Sequence, residues 1–288
     1  MTGATIIAGY AVRESLRRRV FPIVLFLTTA FLGLYALGVW KAFQATEPFR
    51  QEEIGVGVFI DQQVLFSATL FGLAMFATLF LGTVLAIFLT HGVVRGDAER
   101  GLLQPLVVRP VGRTALLIGR FGAASVVCAL YVVAVYVGEL LITHAITGWW
   151  PDRVVVPAAE LAGAVVVLVT LSLVGSVFLS AIANGIAVFM IFGAGLVAGL
   201  LGQIGEALNS DSLKTIAKVS SWVLPFEALY QDGLNAITAD TVGFTRAALS
   251  LGPFGGAQAA GAALFPYVVA YIALLGGLAL FGFRQRDL

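Results

Sequence analysis

Long apolar runs separated by short charged segments set the pattern of this chain. No acid or base interrupts Val20–Trp40, Phe121–Gly138, Leu161–Gly205 or Ala247–Phe283 apart from the ends of these runs, and Gln62–Val94 is equally uncharged. The runs are continuous, without the period-two alternation of a barrel strand, so they read as helices. One helical crossing of a bilayer takes about 20 residues at roughly 1.5 Å each. The runs at 161–205 and 247–283 are too long for one crossing. Ala183-Asn184-Gly185 is the expected turn in the first, because Asn and Gly tolerate left-handed backbone angles. Gly252-Pro253-Phe254-Gly255-Gly256 is the expected break in the second. Pro266 falls in the first turns of the last span, where a missing N–H costs least. The spacing predicts spans at about 20–40, 65–90, 115–141, 157–181, 186–203 and 262–283.

Composition agrees with a lipid setting. Of the 288 residues 59% are apolar and 11% charged, where a soluble protein carries roughly 25% charged residues. Sixteen acids and seventeen bases cannot coat a soluble fold of this length. The expected class is an all-α integral membrane protein, one domain over 1–288. Its first span, with a basic start but a long apolar part and no small-x-small site before Lys41, reads as a span and not a cleaved signal. Only three of the bases are lysines and Ala, Val and Gly abound, a usage associated with GC-rich bacteria and thus with a bacterial inner membrane.

Charge sets the orientation. With the N-terminus inside, the inner segments hold eleven bases against four acids, and the outer ones six bases against ten acids. Bases prefer the cytoplasm, so both termini are expected there. Residues 3–19 read as an amphipathic interfacial helix, Ile6, Ile7, Tyr10 and Leu16 against lipid and the arginines at headgroups, or equally as a plain topogenic tail. The outer segment 204–260 begins with Ile204, Leu208, Ile216 and Val219 on one helical face. Then Pro225 and Glu227 cut an apolar stretch too short to span, which reads as an interfacial or re-entrant hairpin.

Candidate chemistry is sparse. No Gly-Lys pair occurs, so there is no P-loop. His91 and His144 fall at opposite membrane faces, which argues against a paired metal site or a Ser-His-Asp relay. Each reads as an interfacial polar residue, and Cys128 as a small core residue. Net charge of +1 gives no pull toward nucleic acid. Glu139 and Glu160, near the outer ends of their spans, read as interfacial residues, and Asn184 as a turn residue. The spans therefore look nearly empty of the membrane-depth charges that an ion-coupled carrier or channel, the alternative class, needs. Gly195 and Gly199 have the small-xxx-small spacing of close helix packing.

The inner loop after the second span carries the most information. Arg95, Asp97, Glu99 and Arg100 lead into Gly101, Leu102 and Leu103, and Arg109, Arg113 and Arg120 return the chain to the headgroups. A surface helix charged at one end and greasy at the other suits docking of another protein; an ordinary basic loop fits the residues equally well. This segment resembles the cytoplasmic loop of type-2 ABC transporter permeases, in Glu99-Arg100-Gly101, Leu102-Leu103, Pro110-Val111-Gly112-Arg113 and Gly119-Arg120. Pro225-Phe226-Glu227-Ala228-Leu229-Tyr230 looks like the outer element before that family's last span, and Phe283-Arg284-Gln285-Arg286-Asp287-Leu288 like its usual ending. The Phe-Pro element often found after the fifth span is absent. The resemblance implies an exporter's membrane subunit, no enzyme itself, paired with a second permease subunit in a homo- or heterodimer. A separate P-loop ATPase would bind ATP and Mg and dock on 93–113 as a coupling helix. The compact form is most similar to the subgroup linked to copper-enzyme maturation, sodium extrusion and peptide immunity.

Overall fold

The computed structural model describes residues 20–46, 61–90, 113–242, 245, 257 and 259–285. The expected interfacial helix at 3–19, the coupling segment at 93–112 and the break at 252–256 lie outside the described residues. Among the described residues eight helices succeed one another: α1 Val20–Thr46, α2 Gln62–Thr90, α3 Arg113–Thr147, α4 Val155–Phe178, α5 Ala181–Ala207, α6 Asp211–Val223, α7 Pro225–Ala236 and α8 Leu264–Arg284. Six of them (α1 to α5 and α8) are long and apolar enough to cross a membrane, and the rest of the architecture depends on how these six pack.

α4 is the hub. It packs against α2, α3, α5, α7 and α8, whereas α1 rests mainly on α3. Leu161, Ala164, Val165, Leu168 and Val169 of α4 are buried in one core with Phe71, Met75 and Leu79 of α2 and Cys128, Val132 and Tyr136 of α3. Gly82 sets the closest approach of that trio, since a Cβ there would stand 2.6 Å from Val132 and 3.0 Å from Val165. A second, smaller core joins Leu117, Leu173, Val177, Ala279 and Phe283 at the opposite end.

The turn between α4 and α5 lies earlier than Ala183-Asn184-Gly185. α4 stops at Phe178, Leu179 is extended, and α5 starts at Ala181. Ser180 supplies the break, its Oγ accepting from the Ala183 N–H at 3.4 Å, so no left-handed residue is needed. Asn184 is instead a buried tie inside α5. Its Nδ2 donates to the Ser172 carbonyl at 2.9 Å, and Ser172 Oγ pairs with Thr90 Oγ1 at 2.6 Å. Gly175 leaves the space the Asn184 side chain fills. One short polar chain thus links α2, α4 and α5 at the end where residues 91–112 leave the bundle.

Left-handed backbone is used elsewhere. Gly148 (φ 71°) ends α3, and Asn209 (φ 49°) turns α5 into α6. From there α6 and α7 form a hairpin bent at Leu224, with Pro225 at the first position of α7, where its fixed φ suits a helix start. Ile204, Leu208, Ile216 and Val219 are all at least 46% exposed, so the expected apolar face points away from the bundle.

Interhelical hydrogen bonds within membranes are worth about 0.6 kcal/mol on average and up to about 1.7. Asn184→Ala should therefore lower the stability measured by detergent-induced unfolding by an amount in that range. An unchanged unfolding midpoint would mean that the Asn184–Ser172 tie contributes nothing.

Candidate functional site

The polar interior gathers around α7. This short helix enters from the end shared by the α3–α4 connection, as the bond from the Asp240 N–H to Asp152 Oδ2 (2.8 Å) marks. It packs chiefly on α4 and touches α2 and α5. Pro225, Phe226, Glu227, Leu229, Tyr230, Gly233, Leu234 and Ala236 are all buried, whereas α6 buries none of its residues. The Tyr230 hydroxyl donates to the Gly72 carbonyl at 3.3 Å. Gly72 is ten residues into α2, so Tyr230 reaches about 15 Å along that helix. Phe226 stacks on Phe192 (centroids 5.9 Å), which stacks on Phe76 (6.2 Å).

Glycines of α5 make the seat. Gly195, Gly199 and Gly202 recur at i, i+4 and i+7, on one helical face. A Cβ on Gly195 would collide with the Phe226 ring, and one on Gly199 with the Glu227 carboxyl; one on Gly202 would stand 3.1 Å from Ala217. The small residues thus admit the α6–α7 hairpin. The hairpin is also held from α8. Tyr267 donates to the Trp222 carbonyl and Tyr271 to the Val223 carbonyl at 2.9 Å. Both carbonyls lie at the end of α6, where no helical partner exists for them.

Three carboxyls are buried in this region. Glu139 of α3 accepts from Thr78 Oγ1 of α2, and its other oxygen has no hydrogen-bond partner. Glu160 of α4 lies against the Asp232 carboxyl of α7, and Gly233 of α7 presses on it, a Cβ there standing 3.1 Å from Oε2. Glu227 takes 2.7 Å from the Gln231 amide on one oxygen and nothing on the other. Burial pushes the Glu227 carboxyl up to about 7, with the Gln231 bond pulling the other way. Glu139 and Glu160 are fully buried, which corrects their reading as interfacial residues. Position near a span's end was the wrong guide. Each faces inward on its helix, and α7, which is not a span, covers Glu160. No signal in one sequence distinguishes a glutamate pointing at lipid headgroups from one pointing at a short packed helix.

Other candidates stand apart. Cys128 is buried and free. His144 accompanies Trp150 edge to face (5.0 Å) at the end of α3, with Nδ1 3.2 Å from the Trp149 carbonyl. Among the described residues no group of three His, Cys, Asp or Glu side chains is placed to hold a metal ion. Arg95, Asp97, Glu99, Arg100, Gly101, Leu102, Leu103 and Arg109 lie outside the described residues. Arg113 opens α3.

Gly195→Ala and Gly199→Ala should each destabilise the protein by about 1–3 kcal/mol through overpacking. Gly193, with nothing within 4 Å of its would-be Cβ, is the control. Thermal melts of the three variants in one detergent test this, and equal melting of all three would remove the glycine seat.

A family comparison bears on this arrangement. The family model described as ABC-2 family transporter protein matches residues 5–288, nearly the whole chain. No curated protein matches it.

Proposed function

The chain belongs to the ABC-2 transporter family as one of its multi-span permeases, membrane subunits that lack ATPase activity, and from that premise we propose that it forms the translocation path of an exporter. Residues 93–113 are then the coupling helix on which a partner ATPase docks. The observation that carries this reading is the pair of helices flanking that segment. α2 and α3 leave it directly and run together into the centre of the bundle, meeting through Phe71–Tyr136 (5.3 Å) and Thr78–Glu139. α3 continues unbroken for 35 residues, about 52 Å. A displacement at the loop is therefore delivered to the most buried helices by rigid elements.

In this reading Glu99 and Arg100 meet the ATPase, while Leu102 and Leu103 pack against the membrane surface. Both termini are cytoplasmic and the α6–α7 hairpin is outside, re-entering far enough for Tyr230 to reach Gly72 of α2. Such short apolar elements at membrane depth require protein on every side, which α2, α4 and α5 provide. A second copy or a related permease completes the path. The basic bias of the inner segments and the bacterial usage support an inner-membrane setting. The compact six-span form supports the subgroup of copper-enzyme-maturation and sodium-extrusion permeases. The buried carboxyls revive the one argument for an ion-coupled carrier, but the family supplies ATP as the energy source.

Two measurements check this reading. Substituting Glu99→Gln together with Arg100→Ala should cut substrate-stimulated turnover of the assembled transporter at least tenfold, or release the ATPase on purification. Unchanged ATPase binding and turnover would sink the coupling assignment. A cysteine placed at Ser210 should react with an impermeant maleimide from outside the cell; reactivity only from the cytoplasm would invert the topology.

A further inference from the structure

The hairpin leaves a cavity of about 590 Å³ between the C-terminal half of α5, the two hairpin helices and the start of α8. Small-molecule sites run from about 300 to 1,000 Å³. Besides Ser221, its polar side chains include two pairs at i, i+4 spacing: Lys214 and Lys218 on α6, Glu227 and Gln231 on α7. Trp222 and Tyr267, edge to face at 4.7 Å, give it an aromatic wall.

The α7 pair is incompletely bonded. Glu227 is 4% exposed. Its Oε2, and the carbonyl oxygen of the Gln231 amide, have no hydrogen-bond partner. A buried acceptor left so is costly, and Glu227, on the cavity wall, suits a group with several N–H donors. A primary ammonium brings three donors and a charge opposite to the carboxylate. A metal ion suits the site less well, since no group of three acidic, His or Cys ligands exists among the described residues. On the other helix, Lys214 already donates to Asn209 at 2.9 Å and keeps further protons, and Lys218 is exposed. Two lysines one turn apart attract an anion.

We propose that this cavity binds a zwitterion whose primary ammonium seats on Glu227 and Gln231 and whose phosphate ester or carboxylate meets Lys214 and Lys218. Any apolar remainder lies on Trp222 and Tyr267. The headgroup of an aminophospholipid and a free phosphoamine share this chemistry. The site is argued from the cavity alone and does not depend on the coupling assignment at 93–113.

The full chain in nanodiscs tests it, with Trp222 as the reporter. Soluble phosphoethanolamine is titrated into phosphatidylcholine discs. In parallel, Trp emission is compared between phosphatidylethanolamine and phosphatidylcholine discs. A change in emission that Trp222→Phe abolishes is expected in at least one arm. The soluble arm identifies a free zwitterion; a response in the lipid arm alone identifies the headgroup. Glu227→Gln, close in shape, should weaken the response at least tenfold, as should Lys214→Ala with Lys218→Ala on the exposed helix. Phosphocholine, whose ammonium has no N–H, should act at least tenfold more weakly. No Trp222-dependent response in either arm overturns the proposal. So does a response equal for phosphocholine, or one that both the acidic and the double-lysine variants retain. Should Glu227→Gln lower the melting temperature, the double-lysine variant decides.

Discussion

Backbone immersed in hydrocarbon has no water to bond with, so every N–H and C=O at membrane depth must find a partner in the protein. Long helices meet that demand by themselves. The hairpin of α6 and α7 cannot meet it so, because two short helices leave several ends unpaired in little space. The solution is visible in individual bonds. Pro225 opens α7 without an N–H to satisfy. Tyr267 and Tyr271 donate to the free carbonyls at Trp222 and Val223. Asp232 takes the Ala260 N–H at 2.8 Å, and Asn235 donates to the Ala257 carbonyl at 2.9 Å. These bonds fix the ends of the hairpin, while Phe226, Leu229 and Tyr230 hold α7 by packing.

Seating the hairpin in turn shapes the spans around it. α5 keeps glycine at 195, 199 and 202 because side chains there would occupy the volume of Phe226, Glu227 and Ala217. α4 keeps Gly163 facing Leu229, where a Cβ would stand 3.3 Å from Cδ1. The aromatic stack of Phe76, Phe192 and Phe226 then fills the seam between α2, α5 and α7. A helix too short to span is thereby as deeply packed as the spans themselves.

The six spans were legible in the sequence because the bilayer imposes one length on each, and uninterrupted apolar runs report it. Inward and outward faces were not legible. A lipid-facing Leu and a core Leu are the same residue, as exposed Leu130 and buried Leu168 illustrate, so periodicity carries little information here. That blindness explains both misreadings. Asn184 looked like a turn because Asn-Gly is a turn dipeptide in water; in the bundle it is a cross-link, and Ser180 makes the turn. Glu139 and Glu160 looked interfacial because only distance from the span's end was visible. The break at Pro225 was legible, since proline announces a helix boundary in any solvent. The burial of α7 was not, because burial depends on partners in α2, α4 and α5 that are distant in sequence.

Directional bonds at the ends of the bundle bear on how such a subunit would move. At the hairpin end the bonds cross between loops and helices: Gln63 to the Thr147 carbonyl, Asp240 to Asp152, Ala260 to Asp232. At the opposite end the chain Thr90–Ser172–Asn184 is a polar link, beside apolar contacts of Leu173, Val177 and Phe283. Apolar contacts have no direction, so helices sliding past one another lose little; hydrogen bonds are lost outright when their partners shift. Helices sliding at the hairpin end would break Gln63–Thr147, Asp240–Asp152 and Ala260–Asp232 together, so these bonds fix the register of that end.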